Sequence, residues 1–193
     1  LLVSSRGFVN YFRQVLKLKD KRIRYMPQYA ENLFDTLPEP AQKKDSVDFM
    51  FAGNVGALQS VETIVEAARL VQNEKKIHIH IVGGGIALET CKKQAEGLEN
   101  ITFHGRHDIG EMPYFYAMAD AMLITMKDDP VLSATLPGKV QTYMAAGKPV
   151  VGAIGGETAR VVNEDAACGM CCAPEDAKGL ADIMLRIAED DAL

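Results

Sequence analysis

Leu136-Pro137-Gly138-Lys139-Val140-Gln141-Thr142-Tyr143-Met144-Ala145-Ala146-Gly147-Lys148-Pro149-Val150-Val151 reads as a loop carrying one cation, a two-turn helix, a glycine stop and a buried strand. Pro137 fixes φ at the mouth of the helix, and Gly138 lets the backbone approach a ligand closely. The unpaired N–H groups of the first turn and the ammonium of Lys139 then converge on one point, which suits an anion and above all a phosphate. Gly147 is placed to end the helix in the left-handed conformation, and Pro149 prevents its continuation. The same stretch also fits an ordinary helix with ordinary ends.

On both sides of this unit, from Val47 onward, short apolar runs alternate with helix-length segments. That alternation signals βαβ units and a parallel sheet. Strands are expected at 47–52, 77–82, 101–104, 121–125, 149–153 and 169–172. Helices are expected at 60–73, 86–98, 109–118, 139–146, 157–163 and 176–190. Six strands joined by right-handed crossovers make an α/β, doubly wound, Rossmann-like sheet, whose ligand crevice lies beyond the carboxyl ends of the strands. Upstream, 1–4, 8–16 and 23–26 read as strand, amphipathic helix and strand. The stretch 28–46, with Pro38, Pro40, Lys43, Lys44 and Asp45, keeps neither period and reads as a linker.

The chain has 193 residues and a net charge of −5. No Lys/Arg stripe is interleaved with aromatics, which argues against a nucleic-acid partner. The basic cluster Lys17, Lys19, Lys21, Arg22 and Arg24 reads as a solvated surface or hinge. Cys91, Cys168, Cys171 and Cys172 lack zinc-ligand spacing and read as small buried residues of a reducing compartment. No run reaches the roughly 18 apolar residues a membrane helix needs. The sequence opens at Leu1 in a strand-like run, which points to a longer chain.

Every other strand-to-helix loop carries a feature of its own. Gly53-Asn54-Val55-Gly56-Ala57-Leu58-Gln59-Ser60 offers backbone N–H groups to a phosphate or simply packs closely, with Ser60 placed to cap the next helix. Gly83-Gly84-Gly85 lacks the spacing of a dinucleotide fingerprint. Gly105 can lie against a planar base, and Arg106 can reach a phosphate or stack. His78 and His80 share a strand face, and no matching carboxylate makes them a metal site. Asp128 and Asp129 either orient sugar hydroxyls or solvate a turn. Glu157 suits a helix N-terminus with or without a ligand.

Taken in order, Phe51-Ala52-Gly53-Asn54-Val55-Gly56, Ile81-Val82-Gly83-Gly84-Gly85, Ile101-Thr102-Phe103-His104-Gly105-Arg106, Ala119-Asp120-Ala121, Leu136-Pro137-Gly138-Lys139 with Tyr143-Met144-Ala145-Ala146-Gly147-Lys148-Pro149-Val150, and Gly155-Gly156-Glu157 resemble the C-terminal half of a GT-B retaining glycosyltransferase of the group 1, or family 4, type. The resemblance implies a donor domain over 47–193, a linker at 28–46, and at 1–27 the remnant of an N-terminal acceptor domain with its hinge. It implies a nucleotide-sugar substrate, commonly a UDP-sugar, and a role in building bacterial surface polysaccharide. Neither a metal nor another cofactor is implied, the location is cytoplasmic or at the inner membrane face, and any membrane association runs through the acceptor domain.

By the same resemblance, Lys139 meets the diphosphate and is the catalytic cation. Gly53, Asn54 and Gly56 approach the phosphates or sugar, Gly105 and Arg106 border the base, and Pro137, Gly138, Thr142 and Glu157 complete the donor site. Two departures stand out. Ala134 and Thr142 occupy positions where such enzymes often carry glutamates, and Asn54 and Gln59 stand where an Arg and a Lys are common. These departures motivate an alternative, a non-catalytic scaffold or interaction domain. A sugar-nucleotide epimerase on the same fold is a further alternative.

Overall fold

A computed structural model describes residues 1–39 and 46–189. Pro40, Lys43, Lys44 and Asp45 of the expected linker, and position 190 at the end of the expected last helix, lie outside the described residues. The chain begins with β1 (Leu2–Val3), α1 (Gly7–Gln14) and β2 (Arg24–Tyr25), where β1 and β2 pair as a small parallel sheet of their own. After a 3-10 turn at Asn32–Phe34 come β3 (Val47–Ala52), α2 (Val61–Leu70), β4 (Ile77–Val82), α3 (Leu88–Gln94), β5 (Ile101–Gly105), α4 (Met112–Met118) and β6 (Ala121–Thr125). The chain continues with α5 (Pro130–Ser133), α6 (Gly138–Ala145), β7 (Val150–Ala153), α7 (Gly156–Arg160), β8 (Gly169–Cys172) and α8 (Ala177–Glu189).

The six strands β3 to β8 form one parallel sheet in the order β5-β4-β3-β6-β7-β8. Its order reverses between β3 and β6, and a doubly wound sheet opens its ligand crevice at such a reversal. Strand residues alternate between two cores, as a strand's period of two requires. Phe49, Phe51, Ile79, Ile81 and Leu123 face α2, α3 and α8, whereas Met50, Ala52, Met122 and Ile124 face Tyr116 of α4 and Val140 and Tyr143 of α6. Each of the large fully buried side chains stabilises the fold by roughly 1.5–3 kcal/mol, and that sum fixes the sheet as the rigid base of the site.

The helix at the centre of the motif ends as its sequence requires. Ala146 is the C-cap, Gly147 follows at φ +66°, Gly147 N–H donates to Met144 O at 2.9 Å, and Lys148 N–H donates to Tyr143 O at 3.0 Å. This pair of bonds satisfies carbonyls that would otherwise be orphaned.

Three local expectations need correction. Ser60 does not cap α2: it adopts a left-handed conformation, and its hydroxyl bonds to that of Thr63 at 3.0 Å. Of the cysteines, Cys91 is buried, but Cys168, Cys171 and Cys172 are only half-buried, because β8 is an edge strand. The stretch 28–39 is more than a tether, since Phe34 is buried and stacks on Tyr116 with ring centroids 4.8 Å apart.

Candidate functional site

Where the sheet order reverses, the carboxyl ends of β3, β4 and β5 and the N-terminus of α6 enclose a cavity of about 520 Å³. Ala52 and Gly53 line it from β3, and Val82, Gly83 and Gly84 from β4. Arg106 and His107 follow β5, Met112 and Tyr116 belong to α4, and Gly138, Lys139 and Thr142 to α6. Tyr29, Glu31 and Phe34 of the linker close the remaining side.

Lys139 is the centre of this arrangement. It springs from a helix on one face of the sheet, yet its ammonium lies 4.1 Å from the ring centroid of Phe51, which belongs to the opposite core. The side chain passes over Gly53, where a Cβ would stand 3.1 Å from Nζ. Gly53 therefore makes room for the cation. The loops are locked against each other just behind, because a Cβ on Gly83 would stand 1.8 Å from Gly53 O.

Among the described residues no carboxylate pairs with Lys139, and burial pushes its pKa down to about 8. Holding an ammonium there costs stability on the order of 2 kcal/mol near neutral pH. An arriving anion offsets that cost, because its charge stabilises the ammonium. The cation–π contact holds the group in place without neutralising it.

Tyr143, one turn after Lys139, sets the position of α6. Its hydroxyl donates to Ala52 O at 3.1 Å and accepts from Ala52 N–H at 3.3 Å, so the helix is tied to the last residue of β3 before Gly53. The side chain is fully buried, and burial raises its pKa well above the ordinary value, so it acts as a neutral strut. The sequence shows Tyr143 only as part of the helix core. The available signal was its spacing of four from Lys139, which puts both on one helix face.

At the other end of the cavity, Arg106 lies along Gly84, where a Cβ would stand 3.8 Å from Nε. The His107 ring is held between Glu111 Oε2 at 3.2 Å and His104 O at 3.3 Å. Behind it runs a polar row missed in the sequence: His104 Nε2 meets His80 Nδ1 at 2.9 Å, and His80 Nε2 meets Asp48 Oδ1 at 3.1 Å. Burial and the neighbouring histidines lower the pKa of His104. The sequence places His78 and His80 on one face, but Asp48 reaches them only through the register of β3 on β4.

Of the residues singled out in the sequence, Gly53, Asn54, Arg106, Gly138, Lys139 and Thr142 come together on this cavity. Gly56, Gly105, Pro137 and Glu157 stand outside its lining. Gly56 underlies the Asn54 and Gln59 side chains, which bond to each other at 3.4 Å. Gly105 ends β5 and accepts from Gly83 N–H at 2.7 Å, and Pro137 is the extended residue before α6. Glu157 is held by Arg160 at 3.0 and 3.3 Å on α7. Asp129 caps α5 through Val131 and Leu132 N–H, so the turn reading of that loop describes it.

Comparisons with known proteins converge on this description. The family model described as Glycosyl transferases group 1 matches residues 46–190. The Pseudomonas aeruginosa protein named Probable glycosyltransferase WbjE is 33% identical over 147 residues, which are 74% of this chain and 36% of that protein. Among solved structures, WaaG, a glycosyltransferase involved in lipopolysaccharide biosynthesis, superposes with a TM-score of 0.78 at 18% identity, covering 97% of this chain and 53% of its own. Anabaena HepE in complex with UDP and glucose gives 0.73 at 18% identity, covering 98% and 53%. These likenesses show a shared GT-B fold, and the chain spans about a third of the curated relative's length and half of each structure's. Because the family model takes in the whole parallel sheet and the strand-end and α6 walls of the cavity, most of the chain, the chain belongs to the group 1 glycosyl transferases.

Proposed function

We propose that the chain is the donor-binding half of a retaining glycosyltransferase that holds a nucleoside diphosphate sugar, a UDP-sugar first among them, for the synthesis of a surface polysaccharide. The observation that carries this reading is Lys139: an ammonium without a carboxylate partner among the described residues, lying over Phe51 and opening onto a glycine-walled cavity. Such a site is complementary to a diphosphate, whose charge grows when its bond to the sugar breaks. Lys139 and the first N–H groups of α6 face that charge, and Arg106 adds a second cation at the other end. As the anomeric C–O bond breaks, its electron pair passes to the diphosphate, which these groups stabilise, while an acceptor hydroxyl oxygen bonds to the anomeric carbon and its proton passes to the leaving diphosphate oxygen.

The reading leans on two neighbours as well. HepE was crystallised with UDP and glucose, and WaaG acts in lipopolysaccharide biosynthesis. A second, acceptor-binding domain would complete the enzyme, with 1–27 as its last piece and 28–46 as the crossing. Gly56, Gly105, Pro137 and Glu157 would then act as support or join the site on domain closure. No helix among the described residues is long and apolar enough to cross a membrane, and we place the protein in the cytoplasm or at the inner membrane face. Resident metal and cofactor are not part of this reading.

Isothermal calorimetry of the chain with UDP, GDP and ADP tests the proposal. Binding of one of them with a Kd at or below about 0.1 mM, or about −5 kcal/mol, is expected; no heat with any of the three would overturn it. Turnover of the complete enzyme with a panel of sugar donors separates the transferase from a non-catalytic scaffold.

A further inference from the structure

We infer that Ser5 and Thr158 are positioning residues for the anion site, two buried hydroxyls that hold the consecutive carbonyls Ala134 O and Thr135 O of the loop leading into α6. The inference rests on the donor-site reading above and adds to it two residues from outside the cavity lining. Ser5 Oγ donates to Ala134 O at 2.6 Å, and Thr158 Oγ1 donates to Thr135 O at 2.8 Å. Both residues are fully buried.

The two hydroxyls reach the loop from different parts of the chain. Ser5 follows β1, 129 residues from its acceptor, whereas Thr158 sits on α7, 23 residues from its own. Close backbone packing bears on the same segment beside each bond. A Cβ on Gly7 would stand 2.7 Å from Ala134 O, and one on Gly156, at φ +61°, would collide with Ser133 O. Neighbouring carbonyls are served locally: Thr135 Oγ1 donates to Val131 O at 3.0 Å, and Thr142 Oγ1 donates to Gly138 O at 3.2 Å. Ala134 O and Thr135 O draw their donors from distant elements, because an irregular loop offers few of its own and buried carbonyls need partners.

These carbonyls stand just before Pro137, the extended residue at the mouth of α6. Proline leaves its own φ no freedom, so holding the backbone in front of it fixes where the first turn of α6 points. That turn carries Lys139 and the N–H groups that face the anion. The N-terminal part of the chain touches the far end of the loop as well, since Gln28 Oε1 lies 2.8 Å from where a Cβ on Gly138 would stand. Through Ser5, the aim of the anion site therefore depends on where the β1–α1–β2 unit sits. The two halves of the chain are coupled at the loop that leads to the phosphates.

Calorimetry on the 193-residue chain tests this with two ligands, the tightest-binding of UDP, GDP and ADP and inorganic pyrophosphate. The proteins compared are wild type, Ser5→Ala, Thr158→Val, Thr158→Ser and Asn100→Ala, each also unfolded in urea. Asn100 is the control, because its buried side chain donates to Ala68 O at 2.8 Å outside the cavity lining. Ser5→Ala and Thr158→Val should each weaken both ligands by the same factor, about three- to tenfold, the effect of one hydrogen bond felt through the loop. Thr158→Ser keeps the hydroxyl and should hold affinity within about twofold of wild type. In the double variant the two losses should not add, since both act on one segment. Asn100→Ala should lose stability and keep both affinities within about twofold. Lowered stability with unchanged affinity in Ser5→Ala and Thr158→Val would overturn the inference, because the hydroxyls would then be structural only. So would a loss confined to the nucleotide, which would place their effect away from the phosphates. Should Ser5→Ala not fold, the Thr158 variants decide: loss in Thr158→Val with rescue in Thr158→Ser supports the clamp, and equal affinities overturn it. If the wild type binds neither ligand, the donor-site reading fails and takes this inference with it.

Discussion

Two lysines flank α6, and they behave in opposite ways. Both are half-buried, and in both burial lowers the pKa. Lys148, beyond the C-terminus of the helix, donates to Ala119 O at 2.6 Å, and the nearby charge of Asp120 partly restores its ordinary pKa. Lys139, in the first turn, has its ammonium over the Phe51 ring and no carboxylate partner among the described residues. Ala119 is the C-cap of α4, and a helix C-terminus presents carbonyls that satisfy a cation, whereas an N-terminus presents donors that repel it. One lysine is therefore a strut, and the other has no such partner among the described residues.

The cavities near them repeat the lesson. Lys148 borders a space of about 890 Å³ at the amino ends of the strands, larger than the 520 Å³ around Lys139. The larger one is walled by Met144, Val151, Met170 and Ile187, and both charged groups on it are engaged, Lys148 on Ala119 O and Asp120 accepting from Asp48 N–H at 2.7 Å. Volume alone does not make a ligand site; unsatisfied and convergent polar groups do.

Substituting the two lysines gives the sharpest test of this contrast. Lys139→Met should weaken nucleoside diphosphate binding about 100-fold, the loss of one charge-assisted bond in a desolvated site. It should also raise stability by about 1–2 kcal/mol at pH 7, because the buried charge is removed. Lys148→Met should leave binding within about twofold and lower stability by about 1–2 kcal/mol, since Ala119 O loses its donor. Calorimetry and urea unfolding of both variants read the two effects; if the two substitutions behave alike, the contrast is broken.

A pH series comes next in size. With its pKa near 8 in the free protein, Lys139 is charged below that value and loses its proton above it. A bound diphosphate raises the pKa, so binding takes up a proton above pH 8 and affinity should fall up to tenfold per pH unit there. Below pH 8 this group contributes no slope. Stability without ligand should move the other way, rising between about 8 and the ordinary lysine range, because the unfolded chain still holds the proton that the folded one releases. Both slopes should vanish in Lys139→Met, and calorimetry at pH 7 to 9.5 with thermal melts measures them.

A smaller loss of binding than that of Lys139→Met belongs to the strut behind the cation. Tyr143→Phe removes both bonds to Ala52 and should cost about 2–3 kcal/mol of stability, with diphosphate affinity lower by about three- to tenfold. Rescue of affinity but not stability by low temperature would show that the tyrosine positions α6 instead of touching the ligand.

Much of the molecule could be read from residues alone, and the reasons are local. β3, β4, β6 and β8 begin and end where their apolar runs do. Helix ends were less legible: α3 covers only Leu88–Gln94 of the expected 86–98, because Gly85 and Gly97 leave its flanks in irregular turns. The expected helix at 157–163 is α7 followed by a wider π-type turn at Val161–Asp165. On the cavity, Lys139, Gly53, Gly138 and Arg106 announced themselves by loop chemistry. Phe51, Tyr143 and the Asp48–His80 pair did not, since each matters through a partner between 32 and more than 80 residues away.

Period, punctuation and charge in the sequence suffice to specify a doubly wound sheet and a lysine at a helix mouth, because those features depend on neighbours a few residues apart. Which lysine is left without a carboxylate partner among the described residues was decided by tertiary structure. Strand order carries β3 beside β6 and lays Lys139 over Gly53, and only that long-range packing removes the water and counter-charges that would otherwise make all lysines alike.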